Sequence, residues 1–517
     1  MARVNTRRVS TPVASQELTT NEAFAPAYTL PVKLRLIEQV LGAFWSEDTF
    51  YKKGSKIATQ IVADLVEVAK TDPKFIFQLA AFARNEINLR TTPQVLLVEA
   101  SYLERCKPFV EEYTPRIVRR ADEITDVIAY HISRQGSKHN FANSLKRGLR
   151  GAFQNFDEYQ FNKYKSESST VSMADAVRLV HPLFKGNPEY RVALYNYITK
   201  GEVSESLPKI SAFKALMARD TFDAEARELV GNSAATWESL TSKFGSTKAV
   251  WEAAIPKMGY MALLRNLSNF EKAGVALDEV IKKITDPESV KRSKQLPFRF
   301  YAAYQKVSDT RLKRALAQAL DLSISNVTLT GTTVAIVDLS GSMGSKNSEK
   351  SDMTYRDTAA VMGAIVSKKS DNPLVIAFAD RAAIVDVNPD DTVMTSMNII
   401  NKTNVGGSTN AWAAFELLNQ KGIKADRVVL LSDMQCYNST SWGSYRTSTS
   451  VKTEWEKYLK TNPKAQLYSF DLSALGTSQV PSVQKNVTTL SGWSDKVIDY
   501  MTLVEGKDSM EQKIKSY

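Results

Sequence analysis

Three short segments carry residue types that could hold a hard metal ion. Val337-Asp338-Leu339-Ser340-Gly341-Ser342-Met343 places a carboxylate and two hydroxyls, Asp338, Ser340 and Ser342, at alternate positions. Asn404-Val405-Gly406-Gly407-Ser408-Thr409-Asn410 offers Thr409, and Leu430-Leu431-Ser432-Asp433 ends an apolar run in a second carboxylate. Carboxylate and hydroxyl oxygens suit Mg²⁺ or Ca²⁺ and suit softer metals poorly. Alone, D-x-S-x-S is more often a polar turn capping the next helix than a metal site. A cap needs neither of the other two segments, so all three together favour a metal site. The pair Gly406-Gly407 lets a loop backbone come close to an ion.

A second segment suits polyanions. In Asn143 to Phe156, Leu145, Leu149, Phe153 and Phe156 recur at helical spacing, while Lys146 and Arg150 lie one turn apart on another face beside Arg147. Tyr159, Phe161, Lys163, Tyr164 and Lys165 then interleave basic groups with aromatics. That mixture fits phosphate contacts plus base stacking on single-stranded RNA. A solvated helix face above ordinary core aromatics has the same pattern. Catalysis is not expected. The three histidines, His131, His139 and His181, are far apart, and no P-loop or nucleophile elbow occurs.

The elements that must position these residues change character along the chain. From about residue 30 to 320 the apolar pattern is helical, as in the stripe Ile57, Ile61, Leu65, Val68. Ser55, Pro73 and Thr92-Pro93 punctuate helix starts. So many short amphipathic helices suit stacked antiparallel pairs, an α-solenoid. Asp321 to Gly331 is rich in Ser, Thr and Asn and reads as a linker. Apolar runs at Val334–Val337, Leu374–Phe378, Val428–Leu431 and Leu467–Phe470 then alternate with helical stretches near Tyr355–Val366, Ala411–Asn419 and Val451–Leu459. This alternation predicts a mostly parallel sheet covered on both faces, with ligands at the carboxyl ends of its strands. The expected division is a flexible basic tail over 1–25, a helical-repeat domain over 26–325 and an α/β domain over 326–517.

Bulk properties agree. At 517 residues more than one core is expected, and 43% hydrophobic with 24% charged residues is ordinary globular composition. Residues 326–517 hold 20 basic and 20 acidic groups, leaving 47 basic against 36 acidic in the first 325. The net charge of +11 therefore sits wholly in the first 325 residues, where a polyanion partner is expected. Cys106 and Cys436 have no paired spacing, which excludes a disulfide framework. With no secretory h-region and no apolar run of membrane-spanning length, a cytoplasmic location and no membrane partner are expected.

VDLSGSM, GGSTN and LLSD together resemble the metal-ion-dependent adhesion site of von Willebrand factor A domains. The resemblance implies that Asp338, Ser340, Ser342, Thr409 and Asp433 surround a divalent cation, usually Mg²⁺, directly or through water. An acidic group of a partner would take the remaining position. Leu41-Gly42, Arg90-Thr91-Thr92, Lys146-Arg147-Gly148-Leu149-Arg150, Arg178-Leu179-Val180-His181 and Met258-Gly259-Tyr260-Met261-Ala262-Leu263-Leu264-Arg265-Asn266-Leu267 resemble the TROVE module of the Ro autoantigen family, as in its bacterial or phage members. That family implies a ring of HEAT-like helical repeats closed by a doubly wound, Rossmann-like A domain. It also implies misfolded non-coding RNA 3′ ends in the hole, Y-like RNA on the basic outer surface, and work as a monomer alongside a 3′ exoribonuclease. The residues it implies for RNA are Lys146, Arg147, Arg150, Lys163, Lys165 and His181. Arg265 and Asn266 are open between an RNA contact and a structural brace. The rival from another class is a protein–protein adaptor whose A domain captures an acidic ligand.

Overall fold

The structure, a computed structural model, describes residues 17–42, 53–136, 140–164, 170–182, 188–324, 327–347, 352–437, 449–482, 484, 486–491, 497–505 and 510–517. Short helices run from Val32–Gly42 to Thr310–Ser323, with neighbours in sequence packed together. Their boundaries follow local chemistry. Proline opens Pro73–Asn85, Pro208–Met217, Pro287–Ser293 and Pro297–Tyr304, where its missing N–H costs nothing. Ser172 with Asp175 and Thr236 with Ser239 close capping boxes. The stripe Ile57, Ile61, Leu65 and Val68 is buried, as its spacing predicts. No helix among the described residues is long and apolar enough to cross a membrane.

The strands are β1 (Leu18–Thr20), β2 (Pro26–Thr29), β3 (Leu329–Asp338), β4 (Ser370–Phe378), β5 (Ala382–Val385), β6 (Arg427–Ser432), β7 (Gln466–Asp471), β8 (Thr477–Ser478) and β9 (Val487–Ser491). Six form one sheet in the order β5-β4-β3-β6-β7-β9, parallel throughout except for the β4–β5 pair. Alternate residues of β3 enter two cores, Val334 and Ile336 on one side, Ala335 and Val337 on the other. Helices Ala411–Lys421 and Val451–Thr461 cover the first face, and Tyr355–Lys368 and Val393–Lys402 the second. This is the doubly wound sheet expected, with all four predicted apolar runs as strands.

Two expectations need correction. The linker is shorter than Asp321–Gly331, because the last repeat helix continues to Ser323 and β3 starts at Leu329. Asp321 is fixed rather than loose, accepting from the Val393 N–H (3.1 Å) and pairing with Lys368 (3.3 Å). Nor is the tail flexible throughout. β1 and β2 form a hairpin that pairs with β8 of the α/β domain, and Asn21 in its turn is buried. Residues 1–16 lie outside the described part. The hairpin is hidden in the sequence because strands of three and four residues carry too few side chains for a period-2 pattern.

The α/β domain touches both extremes of the helical array. Helix Val32–Gly42 packs on β9, and Met510–Lys515 packs on Pro73–Asn85. Lys33 bridges Asp72 (2.8 Å) and Glu511 (2.7 Å), and the Tyr517 hydroxyl donates to Glu86 (2.8 Å). From the other extreme, Pro297–Tyr304 meets Tyr355–Lys368 and Thr310–Ser323 meets Val393–Lys402. Lys294 also donates to the Asn85 carbonyl (3.4 Å), so an early repeat touches a late one directly.

Candidate metal centre and basic surface

Three adjacent strands end the same way. Asp338, at the end of β3, accepts from the Ser340 N–H (2.9 Å). Asp433, just past β6, accepts from Gln435 (3.1 Å), and Asp471, ending β7, accepts from Ser473 (2.9 Å). Each is an aspartate side chain bonding the backbone two residues on, a turn that stops the strand and points the next segment across the sheet edge. These turns lie at the carboxyl edge of a parallel sheet, the usual place for a ligand.

Asp338, Ser340, Ser342, Thr409 and Asp433 are all buried. The Ser340 and Ser342 hydroxyls stand 3.4 Å apart, and the Ser342 hydroxyl bonds the Asp433 carboxylate. The Thr409 loop is tied in from both sides. Gly341 donates to the Gly407 carbonyl (2.8 Å), and Tyr437 donates to the Thr409 carbonyl (2.9 Å). Burial, with the Asp433 charge nearby, holds Asp338 above the ordinary carboxylate range, and burial does the same to Asp433. Two buried, mutually repelling carboxylates among hydroxyls make a set of hard oxygen donors that a small divalent cation would neutralise. Among the described residues no group of three or more His, Cys, Asp or Glu side chains is placed to hold a metal, so the hydroxyls are needed to complete the set.

Gly406 shapes this loop. It sits at φ +97°, and a Cβ there would lie 2.0 Å from Asp380 Oδ2 and 2.6 Å from Asp380 Cβ. Asp380 is itself engaged, accepting from the Ser408 N–H (2.6 Å) just before Thr409. Gly406→Ala is expected to cost about 1–3 kcal/mol through strain and overpacking. The check is denaturant unfolding of the full chain.

Sequence reasoning missed three supporting residues. The Ser432 hydroxyl donates to Asp338 (2.6 Å), and Asp471 accepts three successive N–H groups, from Ser473, Ala474 and Leu475. Asp471-Leu472-Ser473 repeats the Asp338-Leu339-Ser340 pattern at the end of an apolar run, a signal that could have found it. The third is remote. Asn21 donates to the Cys436 carbonyl (3.1 Å) while Gln435 accepts from the Glu22 N–H (2.8 Å), so the β1–β2 hairpin braces the segment that follows Asp433.

The basic segment forms helix Asn143–Ala152 with Leu145 and Leu149 buried. Phe156 is buried as well but lies past the helix, in extended backbone. Lys146 is half-buried and Arg147 exposed, with Arg147 paired to Glu111 (2.6 Å). Arg150 is half-buried and donates to the Val180 carbonyl (2.8 Å), capping helix Met173–Val180. His181 is the next residue, exposed in left-handed backbone at φ +52°. The structure therefore brings Arg150 and His181 together, 31 positions apart in sequence, and gives Arg147 and Arg150 local partners. Lys163 is exposed, with its ammonium 5.3 Å from the centre of the Tyr164 ring. Lys165 lies outside the described residues.

Comparison with known proteins fits this architecture. The TROVE domain profile matches residues 29–230 and 231–369, and a domain of unknown function, DUF7788, matches 332–516. Telomerase protein component 1 of Rattus norvegicus is 27% identical over 319 residues, 51% of this chain and 12% of that protein. RNA-binding protein RO60 of Deinococcus radiodurans is 28% identical over 292 residues, 50% of this chain and 53% of that one. The chain thus spans about half or less of the length of these relatives. The crystal structure of the Deinococcus radiodurans RO (RSR) protein superposes with a TM-score of 0.66 at 19% identity, covering 92% of this chain and 99% of that one. That likeness establishes the fold, a helical-repeat array joined to an α/β domain. With the profile spanning well over half its length, the chain belongs to the TROVE domain family.

Proposed function

We propose that this chain is an RNA-binding protein of non-coding RNA quality control, not an enzyme. In this reading the array closes into a ring through the α/β domain, and single-stranded 3′ ends of misfolded RNAs enter the hole. Y-like RNA lies on the outer surface at Lys146, Arg147, Arg150, Lys163, Lys165 and His181. The observation that carries the reading is the TROVE match over the part of the chain that holds all the excess positive charge. Contacts of the α/β domain with both early and late helices support closure. The buried oxygen set supports a Mg²⁺-holding A domain that captures an acidic group of a partner, for which a 3′ exoribonuclease is a candidate. A monomer in the cytoplasm is the simplest setting.

Counterion release makes such binding salt-dependent. Affinity for a structured RNA with a single-stranded 3′ tail should fall steeply between 50 and 200 mM salt, on the order of 10³-fold for six phosphate contacts. Affinity no higher than that of an unrelated basic protein would leave the adaptor reading. Lys146→Glu with Lys163→Glu should weaken binding of a stem-loop RNA without lowering the melting temperature, since among the described residues neither side chain braces another element. Unchanged affinity would remove that face from the surface.

A further inference from the structure

Every residue from Leu36 to Gly42 in helix Val32–Gly42 is buried. The helix packs on Gly54–Thr71 and Pro73–Asn85 of the array and on β9 of the α/β domain. A helix segment enclosed on all sides is expected to be apolar throughout. This one carries Glu38 and Gln39, each 1% exposed. Neither oxygen of the Glu38 carboxyl and neither polar atom of the Gln39 amide has a hydrogen-bond partner among the described residues. The other buried glutamates are all engaged. Glu99 accepts from Tyr130 (2.8 Å), Glu123 from Arg84 (2.8 Å), Glu158 from the Ile210 N–H (3.1 Å) and Glu454 from Asn419 (2.9 Å).

Among the described residues no cation pairs with Glu38. Arg35, one turn earlier, is given to Asp64 through two bonds (2.6 and 2.7 Å), and Lys33 to Asp72 and Glu511. Lys56, Glu67 and Lys70 on the second helix and Lys74 on the third are exposed, and Arg84 is paired with Glu123. Strand β9 carries no charged side chain. On its neighbour β7, Asp471 stands opposite Ser491, and the turn it caps meets the helix at Gly476. A Cβ there would lie 3.0 Å from Arg35 Cδ and 3.6 Å from Gln39 Nε2. The charge on that side is therefore a second carboxylate. A buried anion with no partner is strongly disfavoured, so the group keeps its proton instead. Burial, with the Asp471 charge adding to it, holds the Glu38 carboxyl well above the ordinary range.

We propose that Glu38 is a proton-linked latch between the helical array and the α/β domain, seated as the neutral acid and released as the anion. Out of its seat, Glu38 ionises in the ordinary carboxylate range, at about pH 4.3. Below that range both states hold the proton, and seating does not depend on pH. Above it only the seated state holds the proton, so seating weakens roughly tenfold per pH unit until the seated group ionises too. The latch sets how tightly the first array helix closes on the sheet, and it works without RNA or metal.

The test is amide hydrogen exchange of the full chain in metal-free buffer, expressed as protection relative to free peptide at each pH. Protection of the Leu36 to Gly42 amides in the wild type should fall with rising pH, by up to roughly tenfold per unit. Glu38→Gln removes the titrating group and leaves a neutral amide like that of Gln39. Its protection should match the wild type at acid pH, exceed it above neutrality, and change far less with pH. Glu38→Met, which keeps the length of the side chain and carries no charge, should flatten the dependence in the same way. A flattened dependence in either variant supports the latch. The same pH dependence in wild type and variants would overturn it, since the carboxyl would then carry the same charge in and out of its seat. Failure of both variants to fold would also overturn it, marking the carboxylate as a brace.

Discussion

With the oxygen set holding Mg²⁺ as proposed, Asp338→Ala is expected to abolish the stabilisation that the ion would confer on the α/β domain. For an ion bound only by the folded state, a concentration one hundred times Kd contributes about 2.7 kcal/mol, which thermal melting with and without Mg²⁺ reads directly. Alanine also strands the two donors that Asp338 now satisfies, the Ser340 N–H and the Ser432 hydroxyl. That costs on the order of 1–3 kcal/mol for each buried group left unpaired, so the variant should melt earlier even in metal-free buffer. Asp338→Asn separates the two effects. The amide oxygen keeps an acceptor in place and removes one of two buried like charges, so the metal-free protein should be as stable as wild type or more so. Its Mg²⁺ response should still vanish. A shift that persisted in both variants would locate the ion elsewhere.

The second large effect is expected at Gly148, within the basic helix. A Cβ there would lie 2.3 Å from Thr114 Oγ1 and 2.5 Å from Thr114 Cβ, on the helix Lys107–Ile117 that packs against it. A clash with a Cβ cannot be relieved by turning a side chain, so the helices must part. Gly148→Val should cost about 3 kcal/mol, the upper part of the overpacking range, read from urea unfolding of the full chain. Thr114→Gly combined with Gly148→Ala should recover much of the loss, since the two changes open and fill the same space. Separation would also carry Arg150 away from the Val180 carbonyl and His181, so RNA affinity should fall together with stability. A stable Gly148→Val protein with wild-type binding would show that this close approach is dispensable.

What the sequence disclosed and what it hid divide along physical lines. The strands of the main sheet that are buried on both faces read as apolar runs and were legible. Edge strand β5, with Ile384 exposed, and the short β1, β2 and β8 carry no such run. The candidate metal residues could be picked out because Asp338 and Asp433 stand where strands end and Thr409 just before a helix, where polar side chains interrupt an apolar pattern. Of their supports, Asp471 carries a signal in its Asp-Leu-Ser repeat after an apolar run, whereas the part of Ser432 becomes visible only when β3 and β6 are known to be neighbours. In the basic helix, composition indicated charge but not its use. Arg147 is paired with Glu111 and Arg150 is spent on a helix end.

The hairpin that braces the metal loop also sets an order of assembly. Asn21 and Cys436 are 415 positions apart. At about 5–20 residues per second the ribosome delivers the second roughly 20–80 s after the first. Throughout that interval the hairpin has neither β8 nor the Asp433 segment to rest on. The proposed ion site is therefore braced only after Cys436 has been made. An ion bound there would report that two segments 415 positions apart have met.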